Sequence, residues 1–303
     1  MTKLNSQKRS TVGTNRAETP ASGFGGSDRV QIFLGPASSR AMVSKRILNY
    51  LVQKRQVRWS RLGYFLKERI LPKMRRTAGV SATTTFTFVN RCGYPVWVGT
   101  LSSAGSPALS QTGFKLDQGA SVSLQAPTGW SGRFWGRTHC SDAGGNFKCK
   151  TADCGSNRVS CDGAGAIPPA TLIEFTLDGS GGQDFYDTSL VDGYNVPFSV
   201  RPQGGTGKCG ESACAADINA LCPSELKVTG DGGETIACKS ACEAFNTDEY
   251  CCRGSHGSPD TCKPNRYSTQ FKNACPSAYS YAYDDQTSTF TCKAPAYLHT
   301  YCP

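Results

Sequence analysis

The chain has 303 residues and a formal net charge of +10, which taken whole would suggest a polyanion-binding protein. The charge is unevenly placed: the first 80 residues hold 17 Lys+Arg against 3 Asp+Glu, and the remainder 16 against 20. The folded part is therefore mildly acidic, which excludes nucleic acid or an anionic membrane as its evident partner.

All 16 cysteines lie from Cys92 onward. An even, dense set of this kind is expected where disulfides form and persist, in the secretory pathway, cell wall or extracellular space. Zinc would need paired Cys or Cys/His ligands, and His139, His256 and His299 are scattered, so no metal is expected. Cys251 and Cys252 are adjacent and cannot bridge each other in normal geometry, so each reaches a different partner.

Residues 1–82 form a basic extension. Its most apolar pieces, residues 47–52 and 64–71, are short and broken by Lys or Arg, so neither makes the apolar run of a signal peptide or a membrane span. Val80-Ser81-Ala82 nevertheless has the small-x-small pattern of a signal-peptide end, with Thr83 as the mature start. The expectation is a misannotated or alternative first exon, disordered over its first 40 residues, with a basic amphipathic helix pair over 41–76.

From Thr83 the pattern becomes that of strands. Phe86 and Phe88 alternate with Thr85 and Thr87, and Tyr94, Val96 and Val98 oppose Trp97 across a turn at Cys92-Gly93. Residues 121–124 and 132–137 continue the alternation around a Pro127-Thr128-Gly129 turn. Residues 141–170, poor in large apolar side chains, read as a crosslinked, loop-rich flap. Residues 171–177 return to a strand with Ile173, Phe175 and Leu177 inward, which turns Glu174 outward. Residues 209–275 form a second lobe of loops and short helices, predicted at 213–221, 239–245 and 265–274. Residues 288–292 alternate again, as a returning strand. Short strands punctuated by Gly and Pro predict a mainly β sandwich with a disulfide-rich second lobe.

The stretch Asn146-Phe147-Lys148-Cys149-Lys150-Thr151-Ala152-Asp153-Cys154-Gly155 resembles the signature of the thaumatin-like proteins, with Ala152 where glycine is usual. Asn90-Arg91-Cys92, Trp135-Gly136-Arg137-Thr138, Pro168-Pro169-Ala170-Thr171-Leu172, the run from Ser189 to Pro197 and Tyr250-Cys251-Cys252 resemble further blocks of that family, in order. The resemblance implies a thaumatin-like antiparallel β-sandwich over 83–138, 171–212 and 276–303, a flap over 139–170 and a disulfide lobe over 213–275. It also implies the pairs Cys92 with Cys302, Cys140 with Cys149, Cys154 with Cys161, Cys209 with Cys292, Cys214 with Cys275, Cys222 with Cys238, Cys242 with Cys251, and Cys252 with Cys262.

The same resemblance implies an acidic cleft. Its catalytic pair would be Glu174 as acid and Asp192 as base, with Arg133, Asp187 and Asp284, in preference to Asp285, binding substrate. Clustered carboxylates resist joint ionisation, so one can stay protonated at mildly acidic pH, as a glycosidase acid must. The implied activity is that of a secreted, pathogenesis-related antifungal protein of the apoplast, cell wall or vacuole, monomeric and without cofactors. It would bind fungal β-1,3-glucan, with endo-β-1,3-glucanase activity weak beside binding. The contrasting reading is a hydrolase inhibitor or membrane-perturbing protein that meets fungal surface proteins and cuts nothing. His139 beside Cys140 is no nucleophile pair if that cysteine is bridged, and no P-loop, dinucleotide fingerprint or H-E-x-x-H is present.

Overall fold

The computed structural model describes residues 83–303; the basic extension and the expectations placed on it lie outside the described residues. The described strands are β1 (Thr83–Asn90), β2 (Val96–Ser102), β3 (Gly113–Leu116), β4 (Ser121–Pro127), β5 (Ser131–Ala143), β6 (Asn146–Thr151), β7 (Leu172–Thr176), β8 (Asp184–Ser189), β9 (Phe198–Gln203), β10 (Ser212–Cys214), β11 (Lys227–Thr229), β12 (Thr235–Cys238), β13 (Phe290–Cys292) and β14 (Ala296–Tyr301). One sheet runs β10-β9-β14-β1-β4, a second runs β13-β8-β7-β5-β2-β3 with β6 also pairing β5, and β11 and β12 pair in a small separate sheet. The chain is mainly β, as its alternation predicts.

The two larger sheets close on one core. Phe86 and Phe88 of β1, Phe198 and Val200 of β9 and Tyr297 of β14 meet Val96, Val98, Phe134, Ile173, Phe175 and Tyr186 of the other sheet. Each strand contributes alternate residues, because successive side chains leave opposite faces. Five aromatic rings, those of Phe86, Phe88, Phe134, Phe175 and Phe198, lie 4.5–5.7 Å from the His299 ring, and neither nitrogen of His299 has a hydrogen-bond partner. Burial holds that imidazole neutral, with its pKa lowered to about 3.

β1 pairs β14 in parallel, so the first and last described strands lie side by side. Just beyond them Cys92 is joined to Cys302 across a sequence separation of 210. The other disulfides are Cys140–Cys149, Cys154–Cys161, Cys209–Cys292, Cys214–Cys275, Cys222–Cys238, Cys242–Cys251 and Cys252–Cys262, the same pairs that the resemblance implies.

Two expectations change. β5 runs on to Ala143 and makes a hairpin with β6, so residues 141–151 form two paired strands and their turn where a loop is predicted. The helix expected over 213–221 shrinks to α1 (Ile218–Leu221): Ser212–Cys214 pairs with β9 instead, and the Asp217 side chain caps the helix by accepting from the Asn219 N–H. The remaining helices are α2 (Ala241–Phe245), α3 (Asp248–Cys251), α4 (Arg266–Ala274) and α5 (Asp285–Ser288). α4 starts at a capping box in which Asn265 and Ser268 satisfy each other's backbone N–H groups.

A second core gathers Ile218, Leu226, Tyr267 and Phe271 with Leu190 and Tyr194. The last two flank Val191-Asp192-Gly193 in the β8–β9 connection, so this turn is anchored on both sides in the second core. Among the described residues no helix is long and apolar enough to cross a membrane.

Candidate acidic site

Antiparallel register puts Arg133 of β5 directly opposite Glu174 of β7, and Glu174 directly opposite Asp187 of β8. The three side chains therefore form one row across the sheet, on the face away from the core. β8 shows why parity matters: Asp184, an odd number of residues from Asp187, faces inward instead. It is fully buried, accepts from the Tyr297 hydroxyl at 2.8 Å and the Ala294 N–H at 3.3 Å, and is a structural acid.

Arg133 Nε lies 3.5 Å from Glu174 Oε1, with side chains only 23% and 28% exposed. Burial raises the Glu174 carboxyl above its ordinary range, Arg133 opposes this, and the Asp192 charge adds to it. Asp187 is raised well above the usual carboxylate range, by burial first and then by Glu174, with Arg133 pulling down and Asp285 pushing up. Its Oδ1 is buried without a hydrogen-bond partner. A carboxyl that lacks donors and faces other acids holds its proton.

Asp192 is held by the backbone around it. Its carbonyl accepts from the Ala170 N–H at 2.9 Å, and Tyr194 exchanges two 2.8 Å backbone hydrogen bonds with Cys238. Gly193 has φ +87°, and a Cβ there would come 2.8 Å from both the Cys238 carbonyl oxygen and the Pro169 Cβ. Only glycine fits such a turn without displacement. On the other side of Leu190, Tyr279 bridges to the end of β8: Leu190 N–H donates to the Tyr279 carbonyl and Tyr279 N–H to the Thr188 carbonyl, both at 2.8 Å.

The acidic pair divides. Asp284 Oδ2 accepts from the Ser280 N–H at 3.0 Å and hydroxyl at 2.9 Å and lies 3.0 Å from Lys272 Nζ, while Thr287 donates to its Oδ1 at 3.2 Å. Those bonds tie residues 280–287 to α4. Asp285 is exposed, accepts from the Tyr279 hydroxyl at 2.9 Å, and is the member of the pair whose charge acts on Asp187. Tyr279 also contacts the Thr289 hydroxyl. The structure thus joins Arg133, Glu174, Asp187 and Asp192 electrostatically, and adds Asp285 and Tyr279. The sequence does carry one hint: Asp284 stands three residues before Thr287, the spacing of a side chain engaged locally.

This arrangement can hold a protonated carboxyl among other acids on the sheet face away from the core. Among the described residues no group of Cys, His, Asp and Glu is placed to hold a metal.

Residues 90–303 match the Thaumatin family. The chain belongs to the thaumatin family. Thaumatin-like protein 1 of Prunus persica is 62% identical over 219 residues, covering 72% of this chain and 89% of that protein. Pathogenesis-related protein 5 of Arabidopsis thaliana is 58% identical, covering 75% and 94%. A protein of Prunus avium named glucan endo-1,3-beta-glucosidase is 56% identical, covering 74% and 93%. This thaumatin-like chain is accordingly of the pathogenesis-related group, with its acidic row inside the matched region.

Proposed function

We propose that this thaumatin-like chain is a secreted defence protein that binds fungal cell-wall β-1,3-glucan on its acidic row and hydrolyses it slowly. The observation that carries the reading is the register-locked row Arg133–Glu174–Asp187, with two carboxyls held above their ordinary pKa on the face away from the core. Glycoside hydrolysis uses a protonated carboxyl to give the leaving oxygen a proton and a carboxylate to activate water or attack. Glu174 serves as the acid and Asp192 as the base. Arg133, Asp187 and Asp285 hold sugar hydroxyls, while Asp284 holds the segment that carries Asp285.

Binding exceeds turnover because Arg133, paired to Glu174, works against the protonated state that the acid needs. Neutral Asp187 can donate to a sugar oxygen without cutting anything. The glucanase name of the Prunus avium relative supports the choice of polymer. Reducing-sugar release from β-1,3-glucan at mildly acidic pH tests it: Glu174→Gln and Asp192→Asn each lose release, by about 100-fold or more for the acid, while both still bind. Equal release by the wild type and Glu174→Gln would overturn the catalytic assignment.

A further inference from the structure

Beyond β8 the sheet ends at β13, and a cavity of about 510 Å³ opens at that edge. It is lined by Lys208, Gln286, Thr287, Thr289, Thr291 and the partly buried ring of Phe290. The volume falls within the about 300–1,000 Å³ range of small-molecule sites. The lining holds an amide, hydroxyls and one ammonium but no carboxylate, so it suits a neutral ligand rich in hydroxyls and not a cation. Phe290 is fixed on its inner side, stacked on Tyr186 at 5.8 Å. A Cβ on Gly210 would come 2.8 Å from that ring, so glycine there lets the backbone lie against Phe290.

The cavity meets the acidic row at Thr289, the lining residue on the same sheet face as Asp187. Phe290 pairs Tyr186, which places Thr289 beside Asp187, and the Tyr279 hydroxyl touches both Thr289 and Asp285. From Glu174 to Thr289 is a step of two strand spacings, roughly 10 Å. A polymer lying across the strands over Arg133, Glu174 and Asp187 therefore runs onto Thr289 and into the cavity.

We propose that this edge cavity is a distal sugar subsite that makes the chain bind longer β-1,3-glucan oligomers more tightly than short ones, with Lys208, Gln286 and Thr289 reading hydroxyls. The inference rests on the glucan reading of the acidic row. It assigns to Lys208 and Gln286 a role in length selection and none in bond cleavage.

The test is calorimetric titration of the full-length protein with β-1,3-linked gluco-oligosaccharides of increasing length. Three proteins are compared: wild type, the double variant Lys208→Ala/Gln286→Ala, and Gln286→Trp, which fills the cavity. Lys208 and Gln286 are exposed, and thermal melts confirm that the variants are folded. Wild-type affinity is expected to rise with oligomer length. Both variants are expected to match wild type on the shortest oligomer that binds and to lose about tenfold on the longest. A rise with length that persists unchanged in both variants overturns the subsite and leaves the acidic-row reading intact. Wild-type protein that binds no oligomer of any length overturns both.

Discussion

Single residues carry the pH behaviour. Glu174 and Asp187 have folded pKa values raised above their unfolded ones. Their contribution to stability is therefore present below the ordinary carboxylate pKa and is lost as pH rises through the folded values. His299 acts in the opposite sense. Its folded pKa of about 3 lies below the unfolded 6.5, so the stability linked to it is full above 6.5 and declines as pH falls toward 3. His299→Leu should flatten that acid limb, recovering about 3 kcal/mol of the loss between neutral pH and pH ~4. Urea midpoints across this range check it, and an acid limb unchanged in the variant would refute the role of His299. Removing Arg133 lifts the one charge that lowers Glu174, so Arg133→Gln should move the alkaline limb of any glucan hydrolysis to higher pH. A limb that stays in place would show that Glu174 is not the acid. Glu174 is legible at this scale because it is the polar member of an alternating strand. His299 is not, since an imidazole inside five aromatic rings contradicts the usual preference of polar groups for partners.

Elements position these residues, and their legibility follows the purity of the hydrophobic alternation. β1 and β7 stand out because Phe, Ile and Leu mark one face without interruption. β8 hides its period because its inward residues include Asp184 and Thr188, and β14 because its inward side chains are Tyr297, His299 and Tyr301. The short helix α1 is open to overreading: the Ala-rich run suggests an earlier start, yet strand pairing of Ser212–Cys214 and the Asp217 cap set the boundary. Buried Asn195 ties these pieces together. Its Nδ2 donates to the Gly136 carbonyl at 2.8 Å and the Thr151 hydroxyl at 3.0 Å, and its Oδ1 accepts from the Thr171 N–H at 3.0 Å. Asn195→Ala strands those groups in the interior, and equilibrium denaturation should show a loss of about 2–4 kcal/mol. A loss near zero would mean that the strands do not depend on it.

At the scale of the whole molecule, the cysteine count already indicates a crosslinked fold, whereas the pairing rests on family resemblance. Connectivity depends on which distant strands become neighbours, and no local pattern announces that β14 pairs β1 in parallel. The acidic site has the same character. Four of its residues can be named from the family resemblance, but their convergence depends on register across β5, β7 and β8 and on the second core gripping the β8–β9 turn. Cys92–Cys302 closes nearly the whole described region, so replacing both with Ser should cost about 4–5 kcal/mol in denaturant unfolding. A cost below about 1 kcal/mol would show that the paired terminal strands hold without it.

Glucan recognition by the acidic row is tested by retention of the full-length protein on insoluble β-1,3-glucan, with insoluble β-1,4-glucan as the control and Arg133→Ala/Asp187→Ala as the site variant. Saturable retention of wild type is expected on the β-1,3 polymer only. Loss of the hydrogen bonds proposed for Arg133 and Asp187 should reduce it about tenfold or more in the variant. Equal retention of variant and wild type, or equal retention on both polymers, would contradict glucan recognition by that row.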